Sequence, residues 1–428
     1  MTTKRALRLH FAIGVLSTLA LLTGCVPNRI YRPGPAAIET SPTIDGIPGG
    51  SHFKLAAIEF DDMGEAWEKC ASMAEVDSCQ LSRTVDLIRT EKQRAGDVVV
   101  VVFIHGWKNN ASKQNEEKKN LHDFKVVMER LSHAEAMSVQ GVHHSPAYVG
   151  VYMAWRGQVV AGDLFATFWN RRDAALRVGS TDFAESLYRI MGATKENSPN
   201  SRIVIVGHSF GARVLETALT NTFVSLLIPR PGSDDQSGQL SPADLVVYVN
   251  PATDSFRTKQ MIELMQRTGF DVARGQTAGK SPLFLSVTSV GDTATGVAFP
   301  LGQGLSATSK SFRSHYEGTP QAPPQKTFFT HTPGHIPYLF SHEVHNASGP
   351  CISEQDMVRF HASGTCFELA PRSSRWNNTA FWVTTVPKQV IRDHTDIFND
   401  GFATMIIELM KHYQVLNSPQ ATTMLHRQ

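Results

Sequence analysis

Short apolar runs alternate with longer amphipathic stretches from about residue 52 onward. The clearest run is Val98–Ile104, which contains no polar residue. Such an unbroken run is typical of a strand buried on both faces of a parallel sheet. The other predicted strands are His52–Phe60, Tyr148–Trp155, Ile203–Val206, Leu245–Val249, Leu283–Val287 and Phe381–Val386.

Apolar residues at helical spacing occupy the segments between these strands. The predicted helices are Asn115–Leu131, Asp182–Met191, Ala212–Leu227 and Lys259–Thr268, with Asp400–Tyr413 as the terminal one. Strands that alternate with helices over this many units indicate an α/β fold with a doubly wound, mostly parallel sheet. We predict that its core comprises residues 51–301 and 378–428.

Residues 302–377 break this alternation, because they are rich in Pro, Gly, His and Ser. We predict an insertion here, before the last strand, lying as a cap over the carboxyl edge of the sheet. Its histidines are His331, His335, His342 and His345. A polar loop at the mouth of a pocket is favoured over a metal site, because no His-x-x-x-His helix appears. His342 with Glu343 is the remaining metal candidate, and we expect no metal.

The N-terminus has the pattern of a secretion signal. Lys4, Arg5 and Arg8 precede an apolar run, Phe11–Leu22, that is too short to span a bilayer comfortably. The run ends in Leu22-Thr23-Gly24-Cys25. This tetrapeptide resembles the bacterial lipobox, in which the cysteine is acylated and becomes the mature N-terminus.

The lipobox resemblance implies a lipoprotein signal peptide over residues 1–25 and a membrane anchor on Cys25. The next residue is Val26 rather than Asp. That pattern resembles Gram-negative lipoproteins sent to the outer membrane, so we expect a protein of the cell envelope that faces the periplasm. The alternative is an ordinary signal peptide that happens to end near a cysteine.

Residues 26–50 contain several prolines and glycines and little apolar periodicity. This composition predicts a flexible, extended tether between a lipid anchor and the folded domain. No segment after residue 25 is long and apolar enough to predict a transmembrane helix.

The remaining cysteines form two pairs that are local in sequence. We predict Cys70–Cys79 and Cys351–Cys366 disulfides, since each closes a short loop and an exported protein meets an oxidising environment. Four cysteines allow three connectivities, and free buried thiols are the alternative. None of the cysteines has CxxC spacing, which argues against a zinc site.

Composition narrows the possible partners. The formal net charge is +2, and no dense stripe of Lys and Arg is present. These features argue against a nucleic-acid partner. No sequence pattern implies a cofactor.

A strand-turn-helix motif contains the strongest chemical signal. Strand Ile203–Val206 runs directly into Gly207-His208-Ser209-Phe210-Gly211, and a helical pattern follows. A serine on such a sharp turn is exposed at the sheet edge, and the following helix directs backbone N–H groups toward developing negative charge. The motif predicts Ser209 as a nucleophile. The alternative is a glycine-bordered turn in which Ser209 only caps the helix.

A second motif, Phe103-Ile104-His105-Gly106-Trp107, ends a buried strand at a glycine upstream of this turn. The two motifs together resemble the α/β-hydrolase superfamily of esterases, lipases and thioesterases, over about residues 52–292 and 379–415. The resemblance implies an oxyanion hole formed by the backbone N–H groups of Trp107 and Phe210. We expect His105 to shape the loop and to have no catalytic role.

The resemblance also implies the chain order Ser, acid, His. Asp292 follows the strand Leu283–Val287 and is the favoured acid, with Asp254, one strand earlier, as the alternative. Either carboxylate could instead lie solvated in a loop. His394 lies between the last strand and the terminal helix, which is the usual position of the catalytic histidine in this superfamily.

These residues predict a serine hydrolase that cleaves an acyl ester through an acyl-enzyme, with a small-molecule or lipid substrate. Phe165, Phe168 and Trp169 could line an acyl pocket, although ordinary core packing also explains them. Met153-Ala154-Trp155-Arg156-Gly157 looks like uncharacterised bacterial hydrolases, which define no substrate. The alternatives are a thioesterase, amidase or acyltransferase, or a non-catalytic envelope protein that uses the fold as a binding module.

Overall fold

The computed structural model describes residues 26–44, 52–72, 75, 77–138, 145–159, 167–198, 200–227, 243–268, 281–313, 322–354, 356–376 and 378–413. The predicted signal peptide with Cys25, residues 45–50 of the predicted tether, and Phe165 lie outside the described residues.

The protein has a mixed α/β architecture with a mostly parallel central sheet. The strands are β1 (Ile38–Glu39), β2 (Phe53–Phe60), β3 (Val98–Ile104), β4 (Ala147–Trp155), β5 (Arg202–His208), β6 (Leu245–Val249), β7 (Phe284–Ser289), β8 (His342–Asn346), β9 (Val358–Ala362), β10 (Thr365–Pro371) and β11 (Phe381–Val386). The central sheet has the order β1-β2-β4-β3-β5-β6-β7-β11. Within this central sheet, only β1 runs antiparallel to its neighbour.

Helices cover both faces of this sheet. They are α1 (Gln80–Ala95), α2 (Lys113–Lys118), α3 (Asn120–Ser138), α4 (Phe168–Val178), α5 (Thr181–Lys195), α6 (Phe210–Leu227), α7 (Ser255–Thr268), α8 (Phe299–Ala307), α9 (Gln325–Thr330) and α10 (Asp400–His412). Side chains of α1, α4, α5, α6 and α7 share one hydrophobic core, whereas those of α3 and α10 share the other.

Strand β3 shows why the sheet needs two cores. Val98, Val100 and Val102 contribute to one core, whereas Val99 and Val101 contribute to the other. Because successive strand side chains point to opposite faces, a strand covered on both faces must be apolar at every position. All seven residues of β3 are buried, as the unbroken run predicts.

The segment predicted as a tether packs against the sheet over much of its described part. The Glu59 carboxylate accepts hydrogen bonds from the backbone N–H groups of Tyr31 and Arg32. The Arg32 guanidinium pairs with Glu39 and Glu116. Residues 38–39 form β1 on the edge of β2. These long-range contacts fix part of the predicted flexible, extended tether to the core.

The predicted cap is likewise placed differently. Strands β8, β9 and β10 form a separate antiparallel sheet in the order β8-β10-β9. Its buried side chains share the core of α10 and β11, so this sheet packs at one side of the central sheet. The predicted boundary at residue 302 also falls inside helix α8.

Both local cysteine pairs are joined in the structure, Cys70 to Cys79 and Cys351 to Cys366. Cys79 also caps the N-terminus of α1, where its side chain accepts from the Ser82 backbone N–H. Among the helices of the described residues, none is long and apolar enough to cross a membrane.

Candidate active site

Three parallel strands bring three predicted side chains together at the carboxyl edge of the sheet. Ser209 follows β5, Asp292 follows β7, and His394 lies between β11 and α10. His394 Nε2 lies 2.9 Å from Ser209 Oγ, and His394 Nδ1 lies 2.8 Å from Asp292 Oδ2. A continuous hydrogen-bonded chain therefore links the carboxylate, the imidazole and the hydroxyl.

The turn at Ser209 is backbone-strained and tightly packed. Ser209 has a φ of 55°, in the left-handed region that is costly for a residue with a Cβ. A Cβ added to Gly211 would lie 2.2 Å from the Ile104 carbonyl oxygen, and one added to Gly106 would lie 2.7 Å from Ser209 Cβ. Glycine at these two positions therefore lets the turn approach the end of β3.

Asp292 is buried, with 3% of the residue's surface exposed. Burial by itself would raise its pKa. The hydrogen bond and charge of His394, together with hydrogen bonds from the backbone N–H and hydroxyl of Thr295, outweigh burial and hold the pKa of Asp292 below its ordinary value. Asp292 is thus held as a carboxylate beside the His394 imidazole.

The backbone of His394 is fixed by two further side chains. The His394 carbonyl accepts hydrogen bonds from His208 Nε2 at 2.8 Å and from Asn250 Nδ2 at 3.1 Å. Asn250 Oδ1 also accepts from the Ser289 N–H, so it ties together the ends of β6 and β7 and the His394 loop. His208 and Asn250 have no role among the residues predicted from the sequence. Their positions at the carboxyl ends of β5 and β6 are the sequence feature that could have indicated a role near Ser209.

His105 occupies a structural position. Burial lowers its pKa to about 4, so the ring is neutral near neutral pH. Its Nδ1 lies 2.9 Å from the Gly106 carbonyl and must donate, which leaves Nε2 to accept from the Trp155 backbone N–H at 3.1 Å. This fixed tautomer joins the ends of β3 and β4 and agrees with the absence of a predicted catalytic role.

The two predicted oxyanion donors belong to residues close to Ser209: Phe210 follows it in the chain, and Trp107 follows Gly106, on which a Cβ would lie 2.7 Å from Ser209 Cβ. Phe210 is the first residue of α6, so its N–H has no partner within the helix. Trp107 lies in the loop after β3, and the next residue, Lys108, donates its N–H to the Gly157 carbonyl at 3.0 Å. A Cβ on Gly157 would lie 2.6 Å from the Gly106 carbonyl oxygen, so Gly157 packs closely against this loop.

A cavity of about 570 Å³ opens onto Ser209 and His394. Its apolar lining consists of Trp107, Phe168, Phe210, Ala252, Ala294, Ala298 and Phe299, and its polar lining includes Lys108, Asn109, Lys119, Asn120, Asp123, Thr295 and Thr395. Trp169 lies beside it, with its indole N–H donating to the Gly302 carbonyl. Among the described residues, none between 302 and 377 lines this cavity.

Asp254 lies elsewhere. Its carboxylate is 3.7 Å from the guanidinium of Arg213, and Glu216 lies in the same buried group. Burial, reinforced by the charge of Asp254, raises the pKa of Glu216 to about 7. The structure brings Asp292, and not Asp254, to His394.

The histidines of residues 302–377 are dispersed. His342 is buried and stacks on Trp382, whereas the adjacent Glu343 is exposed. His335 packs beneath the pocket wall, where its Nε2 would lie 2.6 Å from a Cβ on Gly296. His345 lies 3.5 Å from Glu368, and His331 bonds to Thr330. These contacts are those of structural and surface histidines.

Comparisons with known proteins add little to this picture. No family model matches the chain, and no curated protein matches its sequence. A solved structure, phospholipase PlaB from Legionella pneumophila in complex with thio-NAD, is similar over 68% of this chain at 10% sequence identity, with a TM-score of 0.24. The match spans 51% of that chain, about half its length. A likeness this weak carries no argument about activity.

Proposed function

We propose that this protein is a serine hydrolase of the α/β-hydrolase type that cleaves acyl esters through an acyl-enzyme. One observation carries the proposal: the hydrogen-bonded chain from Asp292 through His394 to Ser209. In this proposal Ser209 is the nucleophile, His394 is the base and Asp292 orients the base. Each is hydrogen-bonded to the next, which is the geometry that activates a serine hydroxyl.

The proposed reaction follows from the positions of the protons. Since Asp292 accepts from His394 Nδ1, His394 Nε2 is free to accept the Ser209 proton as Oγ attacks the acyl carbonyl. The backbone N–H groups of Trp107 and Phe210 stabilise the oxyanion. The imidazolium then protonates the leaving alcohol, and a water molecule releases the acid by the same steps.

The walls of the cavity favour an acyl substrate. Phe168, Phe210 and Phe299 line it, so a hydrocarbon chain would lose contact with water there. The polar residues Lys108, Asn109 and Lys119 line it as well and could contact the alcohol part of an ester.

The surface beside the cavity favours a lipid ester. Val297, Leu301 and Leu305 are 57%, 66% and 64% exposed. Leu301 and Leu305 lie one turn apart on α8, and Val297 lies one turn earlier in the π-helical turn Ala294–Ala298. Helix α8 contains no charged residue. We propose that this apolar stripe contacts the surface of a bilayer and brings membrane lipids to the cavity.

The course of the N-terminal segment agrees with this orientation. The Val26 N–H bonds to the carbonyl of Val159, four residues beyond the end of β4 and hence at the carboxyl edge. A lipid on Cys25 would therefore be attached at the edge that contains Ser209. We propose a lipid-anchored envelope protein, on the periplasmic face of the outer membrane, with its pocket directed to that membrane.

The nucleophile is tested with p-nitrophenyl esters of short and long acyl chains and with a fluorophosphonate probe. Ser209→Ala should abolish hydrolysis and labelling and leave the unfolding midpoint close to that of wild type. Ser309→Ala, an exposed serine on the surface, is the matched control and should retain both. Failure of the probe to label wild type would overturn the hydrolase proposal and leave the binding-module alternative.

Membrane contact is tested separately. A Leu301→Asp, Leu305→Asp double variant should lose most of its activity on phospholipid vesicles and keep its activity on a soluble short-chain ester. Ile352→Asp changes a side chain that is equally exposed, at 66%, but lies away from the cavity, and it should behave like wild type. Equal vesicle activity in all three proteins would contradict the proposed bilayer contact.

A further inference from the structure

A cluster of two imidazoles and a carboxylate lies at the opposite edge of the sheet. His52 immediately precedes β2. Glu129 and His133 lie one turn apart on α3 and face His52. Parallel strands place all their amino ends at the same edge, so this cluster is remote from Ser209. His52 and Glu129 are 77 residues apart in sequence, so no local motif reveals the cluster.

The ligand atoms converge as a metal site requires. Glu129 Oε1 lies 3.0 Å from His52 Nδ1 and 3.2 Å from His133 Nδ1. One potential ligand atom from each of the three residues lies within 4.8 Å of those of the other two. Ligands of a tetrahedral zinc ion bound at about 2.0–2.1 Å are about 3.3 Å apart, so only small side-chain shifts would be needed.

The burial of the Glu129 carboxylate also favours a bound cation. Its side chain is 3% exposed, and in the described part of the chain its ion-pair partners are His52 and His133. No Lys or Arg of the described residues pairs with it. A buried carboxylate is stabilised by hydrogen bonds and by a neighbouring cation, and a bound metal ion would supply that cation.

The carboxylate is already oriented for this role. Glu129 Oε2 accepts the backbone N–H of His52 at 3.0 Å, which turns Oε1 toward the two rings. A ligand held by a second hydrogen bond loses less freedom when a metal binds. The side chains of His52 and His133 are 57% and 49% exposed, so solvent has access to the cluster and a water molecule could complete the coordination.

We propose that His52 Nδ1, His133 Nδ1 and Glu129 Oε1 bind one Zn²⁺ ion, with water as the fourth ligand. Both imidazoles bind as neutral ligands through Nδ1 with their N–H on Nε2, so a ring that is protonated on both nitrogens releases one proton when the ion binds. The ion would join the start of β2 to the C-terminal part of α3. Its position away from the cavity separates it from Ser209, and the proposal does not rest on the hydrolase activity.

The test uses the full-length chain in detergent, treated with a chelator and then titrated with Zn²⁺ alone. Wild type should bind one Zn²⁺ per chain with a measurable rise in unfolding temperature, and the Co²⁺-loaded protein should show the spectrum of four-coordinate cobalt. His52→Ala and His133→Ala should each weaken binding at least about tenfold, because loss of one ligand removes a coordinate bond. His361→Ala, an exposed histidine on β9, should bind as wild type does.

Two outcomes would overturn the proposal. In one, wild type and both ligand variants bind Zn²⁺ equally, which would place the ion elsewhere. In the other, Zn²⁺ leaves the unfolding temperature of wild type unchanged while both variants lower it, so that the imidazoles serve only as ion-pair partners of Glu129. Because the two histidine variants change exposed side chains, both are expected to fold.

Discussion

His208 Nε2 donates a hydrogen bond of 2.8 Å to the backbone carbonyl of His394, and their rings lie 5.0 Å apart. Burial is the main cause that lowers the pKa of His208 to about 3, and the charge of the nearby His394 acts in the same direction. The ring is therefore neutral during any ordinary assay and acts through its single N–H. The residue before the proposed nucleophile thus holds the residue proposed as its base.

We expect His208→Phe to lower kcat for ester hydrolysis by about 10- to 100-fold with little change in KM, because loss of this hydrogen bond lets the His394 ring move from its reactive position. His208→Gln keeps an N–H donor and should recover part of the loss. Steady-state kinetics on a soluble ester measure both effects. Full activity in the phenylalanine variant would exclude a positioning role.

The two candidate acids give a direct comparison. Asp292→Asn should lower kcat by about four orders of magnitude, which is the cost of the same change in a serine protease. Asp254→Asn should have a much smaller effect, because Asp254 pairs with Arg213 and not with His394. Kinetics of both purified variants decide the assignment. A larger loss in Asp254→Asn would reverse it.

Gly106, which packs against the proposed nucleophile Ser209, is expected to tolerate no side chain. In Gly106→Ala the new Cβ would lie 2.7 Å from Ser209 Cβ and 3.0 Å from the His208 carbonyl oxygen. We expect at least about a 100-fold loss of kcat/KM, since a displacement of about 1 Å at a reacting group has that cost. Gly304→Ala, where a Cβ meets open space on α8, should retain activity.

The N-terminal segment is expected to contribute to stability. Arg32 and the buried Lys125 both pair with Glu39 and Glu116. Arg32→Ala leaves the two carboxylates with one cation, so we expect a loss of about 3 kcal/mol in the free energy of unfolding. Urea denaturation measures the loss, and limited proteolysis should show faster cleavage in residues 26–50. Stability and cleavage rates equal to those of wild type would restore the tether interpretation.

Acid should destabilise the fold through its buried neutral histidines. Burial lowers the pKa of His342 to about 3 from an ordinary value of 6.5. Between these values the unfolded chain binds the extra proton, so stability falls as the pH drops from about 6.5 toward 3, by about 1.4 kcal/mol per pH unit for each such histidine. His105 and His208 act in the same direction.

Replacing His342 isolates one of these contributions. His342→Phe can keep the contact with Trp382, and it should reduce the slope of stability against pH between about pH 4 and 6 by one proton's worth. Urea denaturation at several pH values measures the slope. His361→Phe, at an exposed position, should leave the slope unchanged. An unchanged slope in the His342 variant would mean that the ring is protonated in the folded state.

The strands that the sequence predicts best are those buried on both faces. The bounds of β6 and β11 match the predicted runs, because burial demands apolar residues along the whole strand. Helix α1 was missed, since four of its last five residues are polar or charged. The predicted helix Asn115–Leu131 is divided at Lys119, whose extended backbone ends α2 before α3 begins.

The three-stranded sheet of β8, β9 and β10 was also not predicted from the sequence. Strand β8 contains His342, Glu343 and His345 and is largely exposed, so it has no apolar pattern. The candidate site was easier to predict, because Ser209, Asp292 and His394 each follow a strand of one parallel sheet and must meet at one edge. His208 and Asn250 act through hydrogen bonds that span 186 and 144 residues, which no local pattern encodes.

The bond between Val26 and Val159 has a consequence for how the proposed enzyme would encounter its substrate. Adjacent Cα atoms are about 3.8 Å apart, so a lipid on Cys25 would have almost no slack before the folded body. The catalytic edge would then stay at a fixed height above one leaflet and diffuse with it in two dimensions. Turnover would depend on lipid density in that leaflet, and a neighbouring membrane would be out of reach.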